Sequence, residues 1–254
     1  MQPLYIGAVG LWTPGLPDAA AWRAGHRDPA APLPAAALLA AAVRRRTSLL
    51  TRAAVEAFGQ AAAEAAVDRS EIATVFVSAW GETSALQELL DQLHSDDGAL
   101  SPIRFSGSVH NAASGHVSIA TGNRGFTTSI AAGADSVAMG LLECMGLLHA
   151  GHREVIAVFA DIDPPAPLAD SSGHCAPLAV ALHLHDGATG RPVRGVLTQL
   201  SDQEPLSTDV LLPDDLRANP CAGALALADA LLRRRGGLVA LGGAWSVRIQ
   251  TEVR

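Results

Sequence analysis

Three cysteines, nine histidines and scattered serines are the groups of this chain best suited to covalent or metal chemistry, and their spacing decides which can act together. Cys144, Cys175 and Cys221 are odd in number and far apart, which fits neither a disulfide framework nor a zinc pattern. His174 and Cys175 put a base beside a thiol in sequence, but adjacent side chains on an extended chain point apart, so no dyad follows. Ser129 and Ser136 offer hydroxyls without the Gly-x-Ser-x-Gly elbow of a hydrolase. His183 and His185 share one face of a strand. Two ligands do not make a metal site, so the expectation is an ordinary exposed strand face, no metal and no cofactor. Asp161 and Asp163 share a face likewise, and the prolines after them suggest a strand-end turn. The pairs Gly236-Gly237 and Gly242-Gly243 lack a phosphate-loop pattern.

The segment from Asn111 to Ala134 is more specific. It reads Asn-Ala-Ala-Ser-Gly-His-Val-Ser-Ile-Ala-Thr-Gly-Asn-Arg-Gly-Phe-Thr-Thr-Ser-Ile-Ala-Ala-Gly-Ala. Without a gap it resembles the stretch of β-ketoacyl synthases that delivers the catalytic cysteine, through Asn111, Gly115, His116, Ile119, Gly122, Arg124, Gly125, Ser129, Ile130 and Ala131. The resemblance places the cysteine at residue 134, where a helix dipole would stabilise its thiolate. This chain has Ala134, whose methyl group cannot attack a thioester. Asp135 is read as the cap of the following helix. The resemblance also implies a lysine and two histidines from a second half of the fold. All 18 basic residues here are arginine, and 254 residues suit one half. His110, His116 and His149 lie in the wrong half to replace those histidines, so neither condensation nor decarboxylation is expected.

The nearest resemblance is to short β-ketoacyl synthase chain-length factors, which accompany aryl polyene and related ketosynthases. It implies a heterodimer with a full-length, cysteine-bearing ketosynthase that works on chains held by acyl carrier protein. Implied interface residues are Asn111, Gly115, His116, Arg124, Phe126, Thr128 and Ile130. Implied tunnel or gate residues are Ile103, Arg104, Phe105, Val109 and His110, although Phe105 as core and Arg104 as surface charge remains open. The alternatives are a purely structural partner of the ketosynthase and an independent acyl hydrolase or acyltransferase.

Composition excludes other classes. Apolar residues make up 49% of the chain and charged residues 17%, a balance that leaves apolar surface for a partner. A net charge of −7 argues against a nucleic-acid partner. The runs Arg44-Arg45-Arg46 and Arg233-Arg234-Arg235 read as solvated helix ends, with docking of an acidic carrier protein as the alternative. No apolar run is long enough to span a bilayer and no signal peptide is visible, so the cytoplasm is expected.

Apolar periodicity predicts strands at 4–11, 72–79, 126–132, 153–160, 176–185 and 192–202. Helices are expected around Trp22, in the alanine-rich stretch before residue 48, and at 48–66, 82–94, 109–121, 135–149 and 222–235. Residues 101–108 and 164–167 are read as connections, and 238–253 as a final segment hinged at Gly242-Gly243. Alternation of strands and helices implies an α/β domain with a mixed sheet covered on both faces, the half-fold of the thiolase-like class. The resemblance spans roughly residues 4–200. The chain is read as one domain, with an unmatched extension after about Leu206. Helix 135–149, apolar nearly all round, is expected to be buried by that extension or by a partner.

Overall fold

The computed structural model describes residues 3–31, 33–95, 99–166, 168, 174–202 and 212–251. The expected boundary at Leu206 and the end of the proline link at Pro167 lie outside them. The order is β1 (Leu4–Trp12), α1 (Ala19–Ala24), α2 (Ala41–Arg44), α3 (Leu49–Glu64), β2 (Ala73–Val77), α4 (Thr83–Leu93), α5 (Pro102–Ser106), α6 (Ala112–Thr121) and β3 (Thr127–Ile130). A 3-10 turn, Gly133–Asp135, then leads into α7 (Ser136–His149), β4 (Glu154–Asp161), β5 (Leu178–His185), β6 (Gly195–Ser201), α8 (Asp214–Arg217), α9 (Ala222–Leu232), β7 (Gly237–Gly242) and β8 (Trp245–Gln250).

One eight-stranded sheet runs β3-β2-β4-β5-β1-β6-β8-β7. β3, β2 and β4 are parallel, and every other pairing is antiparallel. Helices cover both faces, as the α/β alternation requires. On one face α3 and α6 pack over Ala8, Trp12, Phe76, Ile156 and Val158. On the other, α7 and α9 share a core with Val75, Val77, Phe159, Leu182, Val239 and Ile249. Close approach of α3 to β1 depends on Gly10, because a Cβ there would lie 2.0 Å from the Ala57 carbonyl oxygen.

Several expectations change. The alanine-rich helix before residue 48 shrinks to the single turn α2. The connection 101–108 contains α5: Ser101 accepts from Arg104 N and Pro102 opens the helix, a start signal of known kind. Helix α6 begins at Ala112 rather than Val109. His183 and His185 are fully buried, not exposed, because β5 is an inner strand flanked by β1 and β4. Their rings stack 5.5 Å apart. Helix α7 packs one side on β2 and β4 and touches β7 with another, so the C-terminal segment covers part of it. Leu142 of α7 stays exposed. The helix buried all round is α9, where Gly223 to Leu231 are buried without a break. Among the described residues no helix is long and apolar enough to cross a membrane.

Candidate functional site

Ala134 sits in the 3-10 turn between β3 and α7, and it is exposed. The turn is held by Ser136, whose hydroxyl accepts from Ala132 N at 3.0 Å and donates to the Gly133 carbonyl at 2.8 Å. Gly133 supplies the left-handed φ of 56° that the bend needs. Asp135 occupies the position before α7, but its side chain does not cap the helix. It reaches the β7–β8 turn instead, where its Oδ1 leaves no room for a side chain on Gly243. A Cβ on Gly242 would lie 2.7 Å from the Ala134 carbonyl oxygen, so this hairpin closes down on the elbow. Ala134 also lines a cleft of about 350 Å³ with Leu212, Arg217, Asn219, Gly223 and Val239.

The other candidate nucleophiles are poorly placed. Ser129 Oγ donates to Ser114 Oγ at 3.3 Å, and Ser136 is tied to backbone. Burial pushes the Cys144 and Cys221 thiols far up. Cys175 is pushed up to about 12 by burial and then by Asp163 and Asp161. A thiol so raised holds almost no thiolate at neutral pH. His174 is highly exposed and bonds Asp163, while the Cys175 side chain turns inward, so the adjacent pair forms no dyad. Among the described residues no three His, Cys, Asp or Glu converge as metal ligands.

The implied gate segment forms a separate surface. Ile103 and Phe105 on α5 are 69% and 58% exposed, and Val109 follows them into solvent. Phe105 is therefore not core. Arg104 makes an exposed ion pair with Glu88 of α4 at 3.7 Å. Leu86, Leu90 and Leu93 of α4 add exposed apolar area, since α4 buries only Leu89. His110 points the other way. Its Nε2 meets the Ser78 carbonyl at 2.9 Å, and its ring packs where Gly81, at φ 63°, has no side chain.

Two buried carboxyls brace this region, and neither was legible as such in the sequence. Glu82 accepts from Ser48 Oγ at 2.8 Å and Thr51 Oγ1 at 2.6 Å at the start of α3, and burial raises its pKa. Asp161 accepts from Ser78 Oγ at 2.5 Å, Ala79 N at 2.8 Å, Trp80 N at 3.2 Å and Cys221 Sγ at 3.3 Å. It ends β4, as the strand-end reading expects, but it is fully buried and raised by burial, and it ties the β2 exit loop to the start of α9. Ser78-Ala79-Trp80-Gly81 carries no acidic spacing that would announce either partner.

The implied interface residues gather at one edge of the sheet. β3 pairs with β2 and has no second strand neighbour among the described residues. The Phe126 and Ile130 carbonyls accept from Thr74 N of β2 and from Ser78 N just beyond it, so strand alternation turns the backbone groups of Thr127 and Ser129 outward. Thr128 and Ile130 are half-buried on this strand. Phe126 lies exposed against His152, with ring centroids 5.8 Å apart. Gly115 and His116 are half-buried on α6, and burial lowers the His116 pKa. Asn111 and Arg124 are exposed at either end of that helix. Ile119, 83% exposed, stands on the same helix.

The profile of the β-ketoacyl synthase N-terminal domain matches residues 19–235. No curated protein matches the chain. A structure of a ketosynthase, ApeO, in complex with its chain length factor, ApeC, from Xenorhabdus doucetiae is 25% identical, with a TM-score of 0.75 over 98% of this chain and 100% of the matched chain. A type II polyketide acyl-carrier protein in complex with its ketosynthase bound to the hexaketide is 12% identical, with a TM-score of 0.73 over 99% and 100%. A β-ketoacyl synthase from Burkholderia phymatum is 15% identical, with a TM-score of 0.62 over 91% and 71%. At these lower identities the likeness is one of fold.

Proposed function

The chain belongs to the β-ketoacyl synthase N-terminal domain family, and on that premise we propose that it is a non-catalytic chain-length factor. It pairs with a cysteine-bearing ketosynthase and shapes the end of that enzyme's acyl tunnel, in a type II system that extends polyene-like chains on acyl carrier protein. The observation that carries this reading is Ala134, which keeps the bend between β3 and α7 while offering no nucleophile. Among the described residues, the raised cysteines and the backbone-tied Ser136 offer no ready substitute.

Two surfaces support partnership. Among the described residues the outer edge of β3 has no strand neighbour, and a strand from another chain can pair with it. The exposed apolar side chains of α4 and α5 give a contiguous region of the kind that marks protein contacts. Exposure of Ile103 and Phe105 favours a tunnel role over a purely structural one, because a bulky group at a tunnel end limits the carbons that fit.

Co-expression with candidate ketosynthases, followed by size-exclusion chromatography and assay of the complex, tests the partnership. Mass spectrometry after incubation of the purified chain with acylated carrier protein tests the loss of catalysis. The expected result is no acyl adduct. A stoichiometric adduct on Cys144, Cys175 or Ser129 would refute the reading.

A further inference from the structure

The apolar side chains assigned to the tunnel end sit on a segment with little hold on the body of the protein. Helix α5 buries none of its residues. Its ion pair, Arg104 with Glu88, lies in solvent, where such pairs contribute little. The attachment comes just beyond Val109, where His110 turns inward. Its Nε2 meets the Ser78 carbonyl at 2.9 Å. A carbonyl only accepts, so this ring carries a proton on Nε2. Gly81 closes one flank of the ring, since a Cβ there would lie 2.7 Å from His110 Cδ2. Ser78 is itself fixed, because its hydroxyl donates to Asp161 at 2.5 Å and accepts from Gly81 N at 2.8 Å.

Glu82 stands beside this seat and is only 4% exposed. Its Oε1 is tied to the start of α3 by Ser48 Oγ at 2.8 Å and Thr51 Oγ1 at 2.6 Å. Its Oε2 finds no hydrogen-bond partner among the described residues. A buried oxygen left in that state costs stability, so packing alone gives no reason for an acid here. Burial raises the Glu82 pKa, opposed by the bonds from Thr51 and Ser48 and by the neighbouring His110. Glu82 and His110 line one cavity of about 20 Å³ with Phe76, Ser78, Ala113 and Val158. That is room for about one water molecule and for no side chain. The imidazole cannot sink deeper while Glu82 is in place.

We propose that Glu82 is a positioning residue for chain length. Anchored on α3, it keeps His110 seated on Ser78, and the seated His110 fixes how far Ile103, Phe105 and Val109 project. The segment 103–110 then meets the end of an acyl chain as a rigid stop. A rigid stop gives one product length, because steric cost rises sharply once close-packed atoms meet. With the seat loosened, α5 withdraws before the growing chain and the product lengthens. The inference rests on the chain-length-factor reading, although the seat itself is a property of this chain alone.

Two measurements test it. In the isolated chain, nitrogen-resolved NMR should show His110 as a single Nε2–H tautomer, averaged between tautomers in Glu82→Ala. In complex with a cysteine-bearing ketosynthase, Glu82→Ala should lengthen the mean product by one extension unit or more, at unchanged heterodimer yield. Glu82→Gln keeps the acceptor for Ser48 and Thr51 and should give the parental product. Glu82→Ala added to His110→Ala should change nothing further, since the acid acts through the ring. Thr51→Val removes the shorter bond to Glu82 and should shift the product the same way, which keeps the test open if Glu82→Ala does not fold. Leu231→Ala, in the core at the far end of α9, reads the effect of lost stability alone and should leave length unchanged. An unchanged His110 tautomer with parental products from Glu82→Ala and Thr51→Val would overturn the inference. So would an equal shift in Leu231→Ala or in Glu82→Gln. If no ketosynthase binds the parent chain, the chain-length-factor reading fails instead, and the tautomer of His110 still judges the seat.

Discussion

At the scale of single residues, the side chains proposed to limit chain length and those that decide stability are well separated. Ile103 and Phe105 contribute little to the fold because they lie in solvent. Replacing either with Gly should lengthen the product made by the assembled complex and leave heterodimer formation intact. Chromatography and product mass spectrometry read the two outcomes, and unchanged chain length in both variants would leave the scaffold role. His183 is the opposite case. Burial lowers its pKa to about 4, with His185 and Arg191 acting in the same direction and Glu154 against them. Its unfolded value is near 6.5, so the unfolded chain binds more protons between those values. The stability that neutral His183 contributes is therefore complete above pH 6.5 and is lost as pH falls towards 4, by about 3 kcal/mol in full. Denaturant titrations from pH 7 to 4 should show this slope, and His183→Leu should flatten it. Asp161 and Glu82, raised by burial, act in the opposite sense at the acid end. The difference between variant and parent isolates the histidine.

At the scale of elements, β3 is exposed as an edge strand that has not been blunted. Its residues Thr127 to Ile130 include no charge and no proline, the usual devices against edge pairing. Proline is tolerated on an edge strand where its missing N–H would face outward. Thr127 is such a position, because the alternate residues Phe126 and Ile130 bond β2. Thr127→Pro should therefore leave the chain folded by circular dichroism and abolish the heterodimer in chromatography. A complex of normal stability would move the interface away from this edge.

At the scale of the whole molecule, the C-terminal segment is a structural part of the sheet. β7 and β8 extend it beyond β6, and α9 fills the core shared with α7. Leu225, Leu227, Leu231, Val239, Leu241, Val247 and Ile249 are all buried there. Burial of such side chains is worth about 1.5–3 kcal/mol each. Ending the chain at about residue 211 should strip that cover from α7 and cause aggregation, measured by light scattering. A monomeric, cooperatively folding product would show that the remaining strands suffice.

The likeness of the Asn111–Ala134 segment to the β-ketoacyl synthase family was legible because it is contiguous and lies in residue type. Most strands and helices were legible as well, since hydrophobic period is a local property. The short α5 was missed, although Ser101-Pro102 carried its start signal. Burial of His183, His185 and Asp161 was not legible, because it depends on β5 and β4 lying inside the sheet. The hydrogen bond from Trp22 to Asp229 joins residues 207 positions apart. Sequence wrote the elements and the family likeness. The order of strands, set by long-range packing, decided which charged groups are buried, paired or left facing a cleft.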